Sequence, residues 1–199
     1  MTPLTILIPA AGASLRMRGG DKLLERVAGQ PILRRQAQIA LPLAAVTVTL
    51  RDPDPLRRAA LDGLPVTIRP VPDAALGMSA SLRHMATCGT ALMILPADMP
   101  DLTGEDLAAM MDAFQMAPDL ILRGSAGQTA GHPVIWPADL VPEFAGLDGD
   151  QGARGLLDRH AHRVRLHALP GQNALTDLDT PEDWALWRAA QAASNTRAS

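Results

Sequence analysis

Residues Pro9–Leu24 read PAAGASLRMRGGDKLL and follow a short apolar run, Leu4–Ile8. The stretch holds three glycines, two arginines and one lysine. A buried strand that leads straight into a small-residue turn loaded with cations suits an anion held at the strand end. Ala10, Ala11, Gly12 and Ala13 keep the backbone open, so that N–H groups up to that of Ser14 can point at such an anion. Arg16 and Lys22 can add charge-assisted contacts. Two phosphate patterns are absent: Leu23 follows Lys22, which breaks G-x-x-x-x-G-K-[ST], and no G-x-G-x-x-G occurs. The same residues also read as a tight strand–helix turn with solvated cations.

Outward from this turn, strand-like and helix-like segments alternate. Strands are expected at 4–9, 45–50, 65–70, 90–98, 119–123, 131–136 and 162–169. Helices are expected at 31–41, 54–64, 79–88 (Ser79 as cap), 103–116, 151–161 and 180–193. Thr103 with Asp106 forms a box-like cap, and Leu107, Met110, Met111 and Phe114 line one face of that helix. Thr180 and Pro181 start the final helix. This alternation argues for an α/β sandwich with a mostly parallel sheet, in which ligands bind beyond the carboxyl ends of strands. A single domain is expected over residues 1–193, with a flexible tail at 194–199.

Bulk properties exclude several classes. The 199 residues suffice for one real core. Aromatics are 3% with no tyrosine, so the core is aliphatic and base-stacking surfaces are not expected. A net charge of −3 gives no basic face for nucleic acid or an acidic membrane. A single cysteine, Cys88, forms no internal disulfide and reads as a buried inert thiol. With no signal peptide or membrane span in view, the expected location is the cytoplasm.

Two further segments sit at expected strand ends. Asp98, in LPADMP (95–100), can hold Mg²⁺, which favours one or two carboxylates plus substrate phosphates; it also reads as a turn-forming Asp. In LTDLDTPEDW (175–184), Asp177 and Asp179 flank Leu178 and can point the same way. Asp179 also suits a helix N-terminus. Arg34–Arg35 and Arg57–Arg58 read as solvated helix faces, and Met110, Met111 and Met116 as core fillers. His84, His160, His162 and His167 read as surface residues without metal-site spacing.

Taken together, these motifs resemble the MobA-like nucleotidyltransferase family. Its first motif runs roughly L-A-A-G-x-S-x-R-M-G-x-x-K-L-L; ADMP resembles its metal-aspartate motif and DLDTPEDW its closing segment. GMSASLR (77–83) and GDQGARGLL (149–157) resemble the CTP:molybdopterin cytidylyltransferase branch. One departure is Arg18, which stands where a glycine is usual, followed by one extra residue that Gly19 and Gly20 can absorb. The resemblance implies a three-layer sandwich with a Rossmann-like central sheet of the nucleotide-diphospho-sugar transferase type. It implies Mg²⁺-dependent transfer of CMP from CTP to molybdopterin, with release of pyrophosphate. It implies that Ala10–Ser14, Arg16, Lys22, Ser79 and Ser81 bind nucleotide. Arg16, Lys22 and Asp98 are then catalytic, Asp98 with Asp177 or Asp179 holds the metal, and His132 meets the acceptor. A molybdoenzyme or its maturation chaperone is an implied partner. Other readings are a nucleotidyltransferase for another acceptor (GTP-using, or a sugar or alcohol phosphate) and a non-catalytic NTP-binding module.

Overall fold

A computed structural model describes residues 2–74, 77–149 and 152–198, with side chains through 193. In chain order it holds β1 (Leu4–Ala10), β2 (Arg26–Val27), β3 (Gln30–Pro31), α1 (Ile32–Ala40), β4 (Ala45–Arg51), α2 (Pro55–Ala60), β5 (Thr67–Val71) and α3 (Met78–Arg83). There follow β6 (Ala91–Ile94), α4 (Gly104–Met116), β7 (Ile121–Ala126), β8 (Thr129–Trp136), α5 (Arg154–Arg159), β9 (Val164–Ala168) and α6 (Pro181–Ala198). Of the expected motif GDQGARGLL, Asp150 and Gln151 lie outside the described residues, as does Ser199 of the expected tail. The stretch from 194 continues α6 to Ala198 rather than leaving it, in keeping with the alanine-rich run before it.

Seven strands form one sheet in the order β5-β4-β1-β6-β8-β7-β9, with β2 and β3 as a separate hairpin. Among the described residues only β8 opposes its neighbours in the large sheet; the other pairings are parallel. Apolar side chains alternate between faces. Ile6 and Ile8 of β1 join Leu33 of α1 and Leu107, Met110 and Phe114 of α4 in one core layer. Leu7 joins Leu82, Trp136, Phe144 and Leu156 in the other. Helices therefore cover both faces, which makes three layers. No described helix is long and apolar enough to cross a membrane.

Some local readings are corrected. Met116 is 87% exposed, because at the last turn of α4 it has passed beyond the buried stripe. Ser79 lies inside α3 rather than capping it; Gly77 is the cap residue, in a positive-φ conformation. The Thr103–Asp106 capping box forms as expected.

The topology decides where chemistry can sit. β1 pairs with β4 on one side and β6 on the other, so crossovers diverge there and leave a crevice at the carboxyl edge. Because β8 is reversed, its amino end lies at that same edge: Ile94 of β6 pairs with Val134 of β8, two residues beyond His132. The β7–β8 register shifts between Arg123 and Ser125, so the strand around His132 bulges. Gly124 makes room for the bulge, since a Cβ there would lie 2.4 Å from the His132 carbonyl oxygen.

Candidate active site

The loop after β1 is shaped by Arg57. In a six-residue helix the adjacent arginines 57 and 58 point about 100° apart, far enough for one to turn inward while the other meets solvent. Arg57 is the inward one, at 0% exposure, which corrects its reading as a surface cation. Its guanidinium donates to the carbonyls of Ala10 (2.6 Å) and Gly12 (2.7 Å), to both Asp21 carboxylate oxygens (2.8 Å each) and to Ser14 Oγ (3.0 Å). In a trans peptide the C=O and N–H point opposite ways, so the N–H groups of Ala11 and Ala13 are directed away from Arg57. Burial works to raise the Asp21 pKa, but the bonds and charge of Arg57, with the Leu23 N–H and Ser14, hold it below its ordinary value.

The stretch that follows turns at its glycines. Gly19 takes φ +95°, and the Gly20 N–H closes on the Met17 carbonyl (2.9 Å). Asp21 then accepts from the Leu23 N–H (3.0 Å) and caps the short 3₁₀ turn Lys22–Leu24. The turn aims Lys22 across the crevice. Its Nζ donates to Asp98 Oδ2 and Asp179 Oδ1, both at 2.5 Å, and Arg16 donates to the other Asp179 oxygen at 2.5 Å. Arg18 meets Glu182 (2.8 Å), an exposed pair of little energetic weight.

Asp98 and Asp179 are neighbours through the backbone as well as through Lys22. The Leu178 N–H donates to the Asp98 carbonyl (3.1 Å), and Leu178 packs with Met17, Val27, Ile32 and Trp184. Asp183 accepts from the N–H groups of Asp179 (3.2 Å) and Thr180 (2.8 Å), which fixes the start of α6. Burial works against the Lys22 ammonium, yet Asp98 and Asp179 outweigh it and raise its pKa. Burial, then the charges of Asp179 and Asp98, push the Asp177 carboxyl up.

These groups border a cavity of about 530 Å³, within the ordinary range for small-molecule sites. Ala11, Gly12, Arg16 and Lys22 line one side, and Asp98, Asp177 and Asp179 another. Ser81, Arg123 and His132 line a third. The expected residues Ala10, Ala13, Ser14 and Ser79 are not on the cavity wall. Ala10 and Ser14 face Arg57, while the buried Ser79 hydroxyl donates to the Asp148 carbonyl (3.3 Å). His132 keeps partial exposure, but its Nδ1 is shut off from solvent without a partner. Burial and then the Arg123 charge lower its pKa to about 4, against the pull of Asp98. Two residues of the site escaped the sequence reading, Arg57 and Arg123.

Oxygen-only donors favour a hard cation. Asp98 and Asp179 suit the mode in which such an ion takes one or two carboxylates and completes its shell with phosphates. Among the described residues no group of three His, Cys, Asp or Glu is assembled to hold a metal by itself.

The fold is shared with solved structures. A nucleotidyl transferase from Methanothermobacter superposes with a TM-score of 0.79 at 16% identity, covering 96% of this chain and 99% of the other. Rv0371c from Mycobacterium tuberculosis H37Rv, solved as a complex with manganese, gives 0.75 at 24% identity over 92% and 97% of the two chains. A molybdenum cofactor guanylyltransferase from Cereibacter sphaeroides is 31% identical, covering 90% of this chain and 92% of its relative. Residues 6–164 match the MobA-like NTP transferase domain, and the chain belongs to that family.

Proposed function

We propose that the protein transfers a nucleotidyl group from an NTP to the phosphate of a molybdopterin-type acceptor, with CTP as the preferred donor. An acceptor phosphate oxygen attacks the α-phosphorus, the bond from that phosphorus to the β-phosphate oxygen breaks, and pyrophosphate leaves. The observation that carries the reading is Lys22 bracketed by Asp98 and Asp179 at the strand edge, facing the Ala11–Gly12 turn. A phosphate monoester is already largely anionic at neutral pH, so no general base is required.

The work of the chain is positioning and charge neutralisation. Arg16 and Lys22 take the phosphates, and the N–H group of Ala11 supplies an oriented donor on the cavity wall. Ser81 faces the nucleoside and His132 the acceptor. Asp98 and Asp179 would hold a divalent cation, Asp177 standing beside them; bound there, it would neutralise phosphate charge. The donor set suits Mg²⁺, and manganese accompanies the related Rv0371c.

The choice of CTP rests on GMSASLR and GDQGAR, which resemble the cytidylyl branch. GTP is the second reading, favoured by the name of the Cereibacter relative. Pyrophosphate release with molybdopterin, Mg²⁺ and each of the four NTPs tests both. The expected result is fastest turnover with CTP, by roughly 10- to 100-fold over GTP, the size of one or two unpaired polar groups in a closed pocket. Faster turnover with GTP selects the second reading. Weak binding of all four without turnover makes the chain an NTP-binding module.

A further inference from the structure

Beside the main cavity lies a second lobe of about 290 Å³. The two share Met78, Arg123 and His132 as common wall. The lobe is apolar at its floor, with Leu82, Ile94, Val134 and Trp136. Arg154, at the first turn of α5, stands on its wall, with Asp158 one turn further on.

The polar groups of this lobe are unspent. Arg123 Nε is buried without a partner, and its NH2 reaches only the Gly131 carbonyl at 3.4 Å. Trp136, 1% exposed, has a buried Nε1 without a partner. His132 Nδ1 is in the same condition. Among the described residues no hydrogen bond or ion pair involves Arg154. Orphaned buried donors cost about 1–3 kcal/mol each, so several along one wall point to a ligand that accepts from them. The arginines also sense one another: burial and then the Arg154 charge hold Arg123 below its usual pKa, which an anion between them would relieve.

Resting on the transfer reading above, we propose that this lobe is the acceptor pocket, with Arg123 and Arg154 gripping the acceptor's phosphate monoester. The shared wall brings that phosphate from the lobe to the cavity of Lys22 and Asp98. The apolar floor takes the flat body of the acceptor, and the Trp136 N–H meets one of its acceptor atoms. Arg123 pairs with Val134 of the reversed β8 just before the bulge, which places it on the wall between the two lobes.

Phenyl phosphate, a monoester dianion on a flat ring, is the probe. Its Kd is read by tryptophan fluorescence, with CTP affinity measured alongside by calorimetry. R154A and R123A are expected to weaken phenyl phosphate at least about tenfold, the loss of one charge-assisted contact, and R154A, at a residue that does not line the main cavity, to leave CTP affinity within about twofold. R154K should restore part of the loss. R165A, in the edge strand β9, should do nothing. Arg154 is exposed, so R154A keeps its fold even where R123A does not. Unchanged phenyl phosphate affinity in R154A overturns the pocket. The KM for molybdopterin separates the two readings. If wild-type protein ignores molybdopterin with every NTP while phenyl phosphate still depends on Arg154, the pocket stands and the acceptor identity falls. If molybdopterin turns over and R154A leaves its KM unchanged, the pocket falls and the transfer reading stands.

Discussion

Arg57 meets Asp21 through two parallel bonds, Nε to Oδ2 and NH2 to Oδ1, each 2.8 Å. The pair sits behind the first loop, and the same guanidinium fixes the carbonyls of Ala10 and Gly12. It thus decides which way the loop's N–H groups face.

R57A leaves a half-buried carboxylate and two carbonyls without their donor. We expect a loss of roughly 3 kcal/mol, the low end of the cost of halving a buried pair, together with weaker nucleotide binding. Urea unfolding and calorimetric titration with CTP check both effects. R57K should recover little, since an ammonium cannot reproduce the fork. A wild-type midpoint in R57A would contradict the clamp.

Lys22 and Arg35 provide a contrast between two cations. Lys22 spans Asp98 and Asp179, whereas Arg35 donates to the Leu102 carbonyl (3.2 Å) away from the cavity. K22A and D98N should each lower turnover at least about 100-fold with folding intact, comparable to losing one preorganised charge contact. R35A should stay near wild-type. Equal effects of K22A and R35A would remove the special role of the loop.

His132 makes stability depend on pH. Its pKa falls from 6.5 unfolded to about 4 folded. A lowered pKa stabilises fully above the unfolded value, and that contribution is lost as pH falls through the folded one. Wild-type protein should therefore lose on the order of 2 kcal/mol between about pH 6.5 and pH 4 that H132Q does not lose. Denaturant titrations at pH 7 and pH 4.5 measure the difference. Parallel losses in the two proteins would refute it.

Asp177 works with the opposite sign. Its raised pKa makes its contribution complete only below 3.8, and the ionised carboxylate is penalised at neutral pH. D177N should raise the thermal midpoint at pH 7, with the gain shrinking in acid, and should cost activity. This is a trade of stability against function. A lower midpoint at pH 7 would mean that the carboxylate is held by contacts stronger than its repulsions.

The strands were legible because apolar runs such as Leu4–Ile8 and Ala91–Ile94 admit one assignment between polar turns. The meeting of Lys22, Asp98 and Asp179 was legible because each follows a strand end or precedes a helix start, and the topology gathers such points at one edge. Arg57 was hidden by its neighbour: an Arg-Arg pair on a short helix reads as solvated, and only the distant carbonyls and Asp21 that it meets turn one member inward. The reversal of β8 was also hidden, since GHPVIW carries no sign of direction. Arg123 was missed for that reason, because only the pairing of β7 with the reversed β8 brings its face of the strand to the cavity. Ser79 and Ser81 look alike in sequence, yet their separation on a helix sends them to different neighbours.

The bond from Leu178 N–H to the Asp98 carbonyl has a consequence for biosynthesis. The turn bearing Lys22 leaves the ribosome 157 residues ahead of its partner Asp179. A nascent chain shorter than that can set Lys22 against Asp98 only, without the Leu178 staple or the Trp184 packing beneath the turn. The central strands can pair first, but the charged edge closes only when α6 docks, so the site is completed after the sheet that carries it.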